Sequence, residues 1–446
     1  MRFLFSFILS GVLMTIPPVS LTATLKMEVS PLESLVDQEV VIVLRGLRPQ
    51  EKIQVQAQTV DDSGIPWKSY GIFQADGLGI IDLSKQAPSE GSYQEIDPMG
   101  LFWSMQPEHS GLAFKIENAN FSVEITAFRE KEKIASQNII RFRKAADVKR
   151  ISIHEDGLVG ILFVPPSDKP LPMIITLTGS SGGFGENRAH LLASHGFVIL
   201  ALGYFGVDGL SSDLQNIPFE YFETAFKWIK RQPAIDSSHI GIYGVSRGAE
   251  LALLLGCTFP ESVQAIAAVV PSSVVYGGSS GGPVDAWLYH GKRLAPFAPV
   301  GKENSTDNKG LDRAYPILMK ERFLEGMKDT KAFEAAVIPV EKMQASLLLI
   351  SGGDDQMWPS ALYATQIQER LKAYKSSIFC EHLYYPKAGH GISIPNFPAP
   401  GPIYYHPVGK QWFSMGGTIA DDQDASLDSW KKLIAFFQKT LKEEGP

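Results

Sequence analysis

Short runs of alternating apolar and polar positions fill the first third of the chain: Glu39 to Leu44, Ile53 to Val60, Ala113 to Ile116, Phe121 to Phe128 and Ile139 to Arg143. Runs of that length, separated by Gly, Pro, Asp and Ser, predict a small β-sandwich from about Met27 to Lys144. The absence of a long 3.6-residue period predicts no helix of any length there. After Asp147 the pattern changes. Met173 to Leu177, Val198 to Leu202, Ile240 to Tyr243, Ala265 to Val270 and Ser346 to Ser351 are compact apolar runs, as strands buried on both faces require. Between and after them, Asn187 to His195, Phe219 to Arg231, Arg247 to Cys257, Ser360 to Tyr374 and Leu427 to Lys442 read as amphipathic helices. This alternation predicts an α/β domain, a parallel sheet wrapped on both faces, over residues 147–446, preceded by an all-β domain over residues 24–146. Residues 277–335 are less regular, carry a Gly/Ser tract from Gly277 to Pro283, and are expected to cover the top of the sheet as a lid. There is no internal repeat.

The extreme N-terminus has its own pattern. Met1-Arg2 precedes an almost uncharged apolar run from Phe3 to Ile16, then Pro17-Pro18 and small residues from Ser20 to Ala23. A run of about 14 residues is short for a bilayer span and fits a secretory h-region, so residues 1–23 are expected to be a cleaved signal peptide and the protein to be exported. A buried first strand or helix and an uncleaved anchor are the alternatives. No later run is long and apolar enough to predict a membrane span once the signal is removed.

Composition narrows the function classes. The chain has 446 residues, 44% hydrophobic and 20% charged, with 41 Lys and Arg against 48 Asp and Glu, a net charge of −7. It is neither disordered nor fibrous. An acidic chain without basic runs offers no footprint for nucleic acid and no polybasic membrane patch. Its two cysteines, Cys257 and Cys380, exclude a disulfide framework, though not one bridge, and no Cys/His spacing suggests a metal site.

Gly244-Val245-Ser246-Arg247-Gly248 matches G-x-S-x-G, in which small flanking residues permit a sharp strand-to-helix turn that presents the serine hydroxyl. The context agrees, because Ile240 to Tyr243 reads as a buried strand entering the turn and Arg247 to Leu255 as a helix leaving it. A serine hydroxyl needs a base, and the base a carboxylate, here in the chain order Ser, Asp, His. Ser351-Gly352-Gly353-Asp354-Asp355 follows a buried strand; Asp355 is the preferred acid and Asp354 a turn or capping residue, with the reverse left open. Pro386-Lys387-Ala388-Gly389-His390-Gly391 supplies the histidine in a Gly-flanked loop, while His195 and His382 read as packing or surface residues. An oxyanion hole is expected from the backbone N–H of Arg247 and from Thr178-Gly179-Ser180-Ser181-Gly182-Gly183, through Ser180 or Ser181. Cys257 reads as a core residue. No cofactor or metal is implied.

Together these segments resemble the acyl-CoA thioesterase and bile acid-CoA:amino acid N-acyltransferase family, built from an N-terminal β-sandwich and a C-terminal α/β-hydrolase domain. The resemblance rests on Asp97-Pro98-Met99-Gly100-Leu101-Phe102-Trp103-Ser104-Met105, the Gly179 to Gly183 loop, Phe219 to Glu223, the elbow, Asp354-Asp355 with Trp358, Gly389-His390, Gly416-Gly417-Thr418 and Asp428-Ser429-Trp430. It implies a Ser246, Asp355, His390 triad, and in that family a serine nucleophile goes with hydrolysis of fatty acyl thioesters and a cysteine with transfer to an amino acid. The expected partner is therefore a small-molecule acyl thioester. An exported carboxylic-ester hydrolase or acyltransferase using the same triad is the alternative, because coenzyme A is scarce outside the cytoplasm; a fold retained for binding without turnover is the reading from another class. No strongly basic segment is assignable to coenzyme A phosphates, although Arg247, Lys292 and Arg293 are candidates for the mouth of the site.

Overall fold

The computed structural model describes residues 24–108, 113–278, 284–301, 309–399 and 401–442. The proposed signal segment and most of the Gly277 to Pro283 tract lie outside the described residues.

The large sheet has eight strands: β1 (Lys149–Glu155), β2 (Leu158–Val164), β3 (Leu171–Leu177), β4 (Val198–Gly203), β5 (Ile235–Val245), β6 (Ala265–Val269), β7 (Ser346–Gly352) and β8 (Cys380–Tyr385), in the order β1-β2-β4-β3-β5-β6-β7-β8. β1 and β2 pair antiparallel, as do β2 and β4, and every other neighbour is parallel. Helices α1 (Glu186–Ala193), α2 (Phe219–Ile229), α3 (Arg247–Thr258), α4 (Ser360–Ala373) and α5 (Ile419–Leu441) connect or flank the strands. The central strands are apolar throughout because both faces are covered: all six residues of β4 and all five of β6 are buried. Each buried Val, Ile or Leu among them contributes about 1.5–3 kcal/mol of transfer free energy, which helps fix the strand ends that carry the chemistry.

The N-terminal part forms a seven-stranded and a three-stranded sheet. Lys52–Val60 shows the period-2 rule directly: Ile53, Val55, Ala57 and Thr59 are buried while the glutamines between them are half-buried. Ala113 to Ile116 is not a strand, although Phe114 and Ile116 point into the core. Among the described residues the expected absence of helix is corrected at one place, a single turn at Gly100–Trp103. There the Asp97 carboxylate accepts the Met99 N–H at 2.7 Å and the Trp103 indole N–H at 2.6 Å, so a local side-chain cage holds a turn that periodicity does not predict.

One apolar core runs from this sandwich into the large sheet. Phe114 and Phe121 meet Phe397 edge-on, and Asp37 accepts from His195 Nε2 at 2.6 Å and Trp430 Nε1 at 3.0 Å. His195, read as packing or surface, is thus a hydrogen-bonding residue between the two parts. Cys257 and Cys380 form no disulfide. Among the described residues no helix is long and apolar enough to cross a membrane.

Candidate active site

Sheet order brings four connections to one edge. Leu177 at the end of β3 pairs with Gly244 near the end of β5, so the Gly179 loop and Ser246 leave the sheet side by side. β7 and β8 end level at Gly352 and Tyr385, which delivers Asp355 and His390 to the same edge.

Ser246 has φ 56° and ψ −119°, a conformation rare for a residue with a Cβ, on the strained turn between β5 and α3. Two close approaches require the flanking glycines. A Cβ on Gly244 would overlap the Gly248 carbonyl, and one on Gly248 would overlap the Leu177 and Thr178 carbonyl oxygens. The turn therefore closes only against bare backbone. The Ser246 N–H is bonded to the Val269 carbonyl at 2.9 Å, which ties the elbow to β6.

His390 Nε2 lies 3.0 Å from Ser246 Oγ, and its Nδ1 lies 2.8 Å from Asp355 Oδ2. Asp355 is fully buried, yet each oxygen has partners: Oδ1 accepts the N–H groups of Met357 and Trp358, and Oδ2 also accepts the Ser360 hydroxyl at 2.6 Å. Those donors offset the cost of burying the charge. With Asp355 as acceptor, Nδ1 carries the imidazole proton and Nε2 is free to accept from the serine. Asp354 does not reach His390; its carboxylate accepts from Gly417 N at 2.9 Å and Gln356 Nε2 at 2.7 Å, bracing the loop. The His390 N–H is held by the Met415 carbonyl at 2.8 Å, and the Trp358 ring meets the imidazole edge-on at 6.0 Å.

Gly182 N donates to Gly179 O at 3.1 Å, making residues 179–182 a tight turn whose central N–H groups, those of Ser180 and Ser181, stand outside the turn bond. A Cβ on Gly179 would lie 3.2 Å from Ser246 Cβ, so this turn passes directly over the serine. Arg247, the first residue of α3, has an N–H without an intrahelical acceptor.

Arg247 is not at the mouth. Its guanidinium is buried, 3.2 Å from the fully buried Glu250 carboxylate, and donates to the Tyr276 carbonyl at 3.0 Å. Glu250 also accepts the Trp287 indole N–H at 2.8 Å, and burial pushes its pKa up. This pairing withdraws Arg247 from any role with substrate phosphates. Arg293 is exposed but engaged with Asp285 at 2.7 Å and with the face of Phe297; Lys292 is exposed beside it.

Several neighbours of the site carry no sequence signal. Strands β9 (Ile403–His406) and β10 (Gln411–Ser414) form a hairpin that places His406 Nε2 at 2.9 Å from Ser180 Oγ and the Tyr404 hydroxyl at 3.1 Å from Ser181 Oγ. Asp422, in the first turn of α5, accepts the Gly389 N–H at 2.6 Å. Among the described residues no cluster of His, Cys, Asp and Glu is suited to a metal ion.

A sheet of this order, with a serine on a strained strand-to-helix turn and an acid and a histidine on later loops, defines an α/β-hydrolase. The chain belongs to the acyl-CoA thioester hydrolase/BAAT family. The model "BAAT / Acyl-CoA thioester hydrolase C terminal" matches residues 217–443 and "Acyl-CoA thioester hydrolase/BAAT N-terminal region" matches residues 37–155. Acyl-coenzyme A thioesterase 6 of Mus musculus is 31% identical over 96% of this chain and 99% of its own length. Acyl-coenzyme A amino acid N-acyltransferase 2 of the same organism is 30% identical over 93% and 98%. Among solved structures, an α/β hydrolase enzyme from a Medee basin deep-sea metagenome library aligns with TM-score 0.40 and 15% identity, covering 66% of this chain and 98% of that one.

Proposed function

We propose that the protein hydrolyses the thioester bond of fatty acyl-CoA-type substrates through an acyl-Ser246 intermediate. The observation that carries this reading is the continuous hydrogen-bonded chain from Ser246 Oγ through His390 to the buried Asp355. As Ser246 Oγ attacks the carbonyl carbon, its proton passes to His390 Nε2, and Asp355 stabilises the resulting imidazolium. The tetrahedral oxyanion is held by the backbone N–H groups of Arg247 and Ser180. Collapse expels the thiolate, which takes the proton from His390. Water then attacks the acyl-serine with His390 as base, and the carboxylic acid leaves as Ser246 regains its proton. Membership of the family, and the thioesterase named among its relatives, support the choice of a thioester. A serine at position 246 favours hydrolysis over transfer.

A second reading, hydrolysis of carboxylic esters outside the cytoplasm, is favoured by the apolar run from Phe3 to Ile16, which also supports export. Release of thiol from a long-chain acyl-CoA, measured beside hydrolysis of a simple aryl ester with residues 24–446 and the Ser246→Ala variant, separates the two. Thioester turnover lost in Ser246→Ala is the expected result. Ester turnover alone would transfer the same machinery to ester substrates, and full turnover in the variant would remove Ser246 from the mechanism. N-terminal sequencing of the mature protein checks export; an intact Met1 on cytosolic protein would remove it.

A further inference from the structure

The β9–β10 hairpin lies far along the chain from the Gly179 loop, yet its side chains sort by register onto two faces. Tyr405 and Trp412 are a cross-strand pair with rings 5.1 Å apart, on the face opposite Tyr404 and His406. Tyr404 and His406 are the two residues bonded to Ser181 and Ser180. The hairpin thus grips both central residues of the turn that crosses Ser246. It is itself anchored, because Trp412 N donates to Gly310 O, Ile317 N to Trp412 O and Ser414 N to Ile317 O.

The tautomer of His406 follows from its second contact. The Gly409 N–H donates to His406 Nδ1 at 2.8 Å, so Nδ1 is the acceptor and the proton sits on Nε2. Nε2–H therefore donates to Ser180 Oγ. His406 is buried, which holds its pKa below the ordinary value and keeps the ring neutral near pH 7. A donor of fixed direction, on a strand paired with β10, which is itself tied to Gly310 and Ile317, sets where the Ser180 side chain lies, and with it the plane of the Ser180 peptide.

We propose that His406 is a positioning residue for the oxyanion hole, its Nε2–H bond to Ser180 Oγ holding the Gly179–Gly182 turn so that the Ser180 N–H meets the developing oxyanion on a substrate attached to Ser246. This rests on the reading of Ser246 as nucleophile. The role is one of alignment, and it acts on the transition state more than on ground-state binding, since the carbonyl oxygen moves toward the donors only as it gains charge.

The test uses His406→Phe, His406→Gln, Ser180→Ala and the double variant His406→Phe/Ser180→Ala, with whichever acyl-CoA or aryl ester the wild type turns over. His406→Phe is expected to lower kcat on the order of 10- to 100-fold while KM stays within roughly threefold. It should weaken inhibition by an alkyl trifluoromethyl ketone, whose adduct with serine carries an oxyanion, by the same factor as kcat/KM. His406→Gln, whose amide still donates toward Ser180, should recover most of the loss. Ser180→Ala deletes only the acceptor oxygen and keeps the backbone N–H; its effect and that of His406→Phe should not add in the double variant. A kcat within twofold of wild type in Ser180→Ala overturns the proposal even where His406→Phe fails to fold. Equal losses in His406→Phe and His406→Gln, or additive losses in the double variant, overturn it as well. Failure of the nucleophile reading is separate, since it appears as full turnover in Ser246→Ala whatever the hairpin variants do.

Discussion

Replacing Asp422 by Asn is expected to stabilise the protein at pH 8 and to leave its stability unchanged at pH 4. Asp422 lies in the first turn of α5 beneath the loop that carries His390, and its Oδ1 accepts the Gly389 N–H. Burial pushes its carboxyl up from an ordinary 3.8 to about 7, and the neighbouring Asp355 adds to the shift; the Gly389 N–H and His390 oppose it. A rise of roughly three units corresponds to a ceiling of about 4 kcal/mol at 1.36 kcal/mol per unit. The sign follows from proton linkage. The folded state holds this proton more tightly than the unfolded chain, so the carboxyl carries no penalty below about pH 4. It destabilises progressively as pH rises from about 4 to about 7, and the cost is complete above that. Asn keeps an oxygen for the Gly389 N–H and never ionises. Urea melts followed by tryptophan fluorescence at both pH values read the difference directly. An Asn variant whose midpoint moves equally at pH 4 and pH 8, or moves down at pH 8, would refute a buried, proton-retaining carboxyl at this position.

Three further outcomes follow from the same geometry. Asp355→Asn should lower kcat by about 10⁴ with the fold retained, because the amide orients the wrong imidazole tautomer, whereas Asp354→Asn should leave kcat within a few-fold; steady-state kinetics of the pair decides which carboxylate orients His390. Gly248→Ala should cost about 3 kcal/mol or prevent folding, since its methyl would overlap the Leu177 and Thr178 carbonyls; circular dichroism and thermal melts of the purified variant check it, and a wild-type melt would contradict the close approach. Cys257 donates its thiol to the Pro339 carbonyl and burial raises its pKa, while burial pushes Cys380 to about 11. A thiol titration should therefore find little reaction in the native protein and two equivalents in urea.

The parts of this protein that are legible in its sequence are those made by local pattern. The apolar runs of β3 to β7 read as buried strands because both faces of a central strand need apolar side chains, and the elbow reads as such because backbone crowding at Gly244 and Gly248 excludes every larger residue. Pro66–Gln74 escapes that reading although it is a nine-residue strand, since Pro66 at its start and Gly71 within it are residues that usually argue against one. The β1–β2 hairpin, by contrast, has a signal that was available: Asp156-Gly157, both at positive φ, is a turn pair that favours a tight antiparallel connection. Asp355 and Asp354 are neighbours with the same side chain, and only the fold separates them. One points inward to His390, Ser360 and two backbone N–H groups; the other points to Gly417. Arg247 shows the opposite limit, a charge that looks available for phosphate until Glu250, one helical turn on, is found buried beside it. His406, Tyr404 and Asp422 owe their places to a C-terminal stretch that leaves the sheet after β8 and folds back over its edge. No period or motif marks such residues, because their partners lie in loops fixed by strand order, so a sequence can name the groups that react well before it can name those that hold them in place.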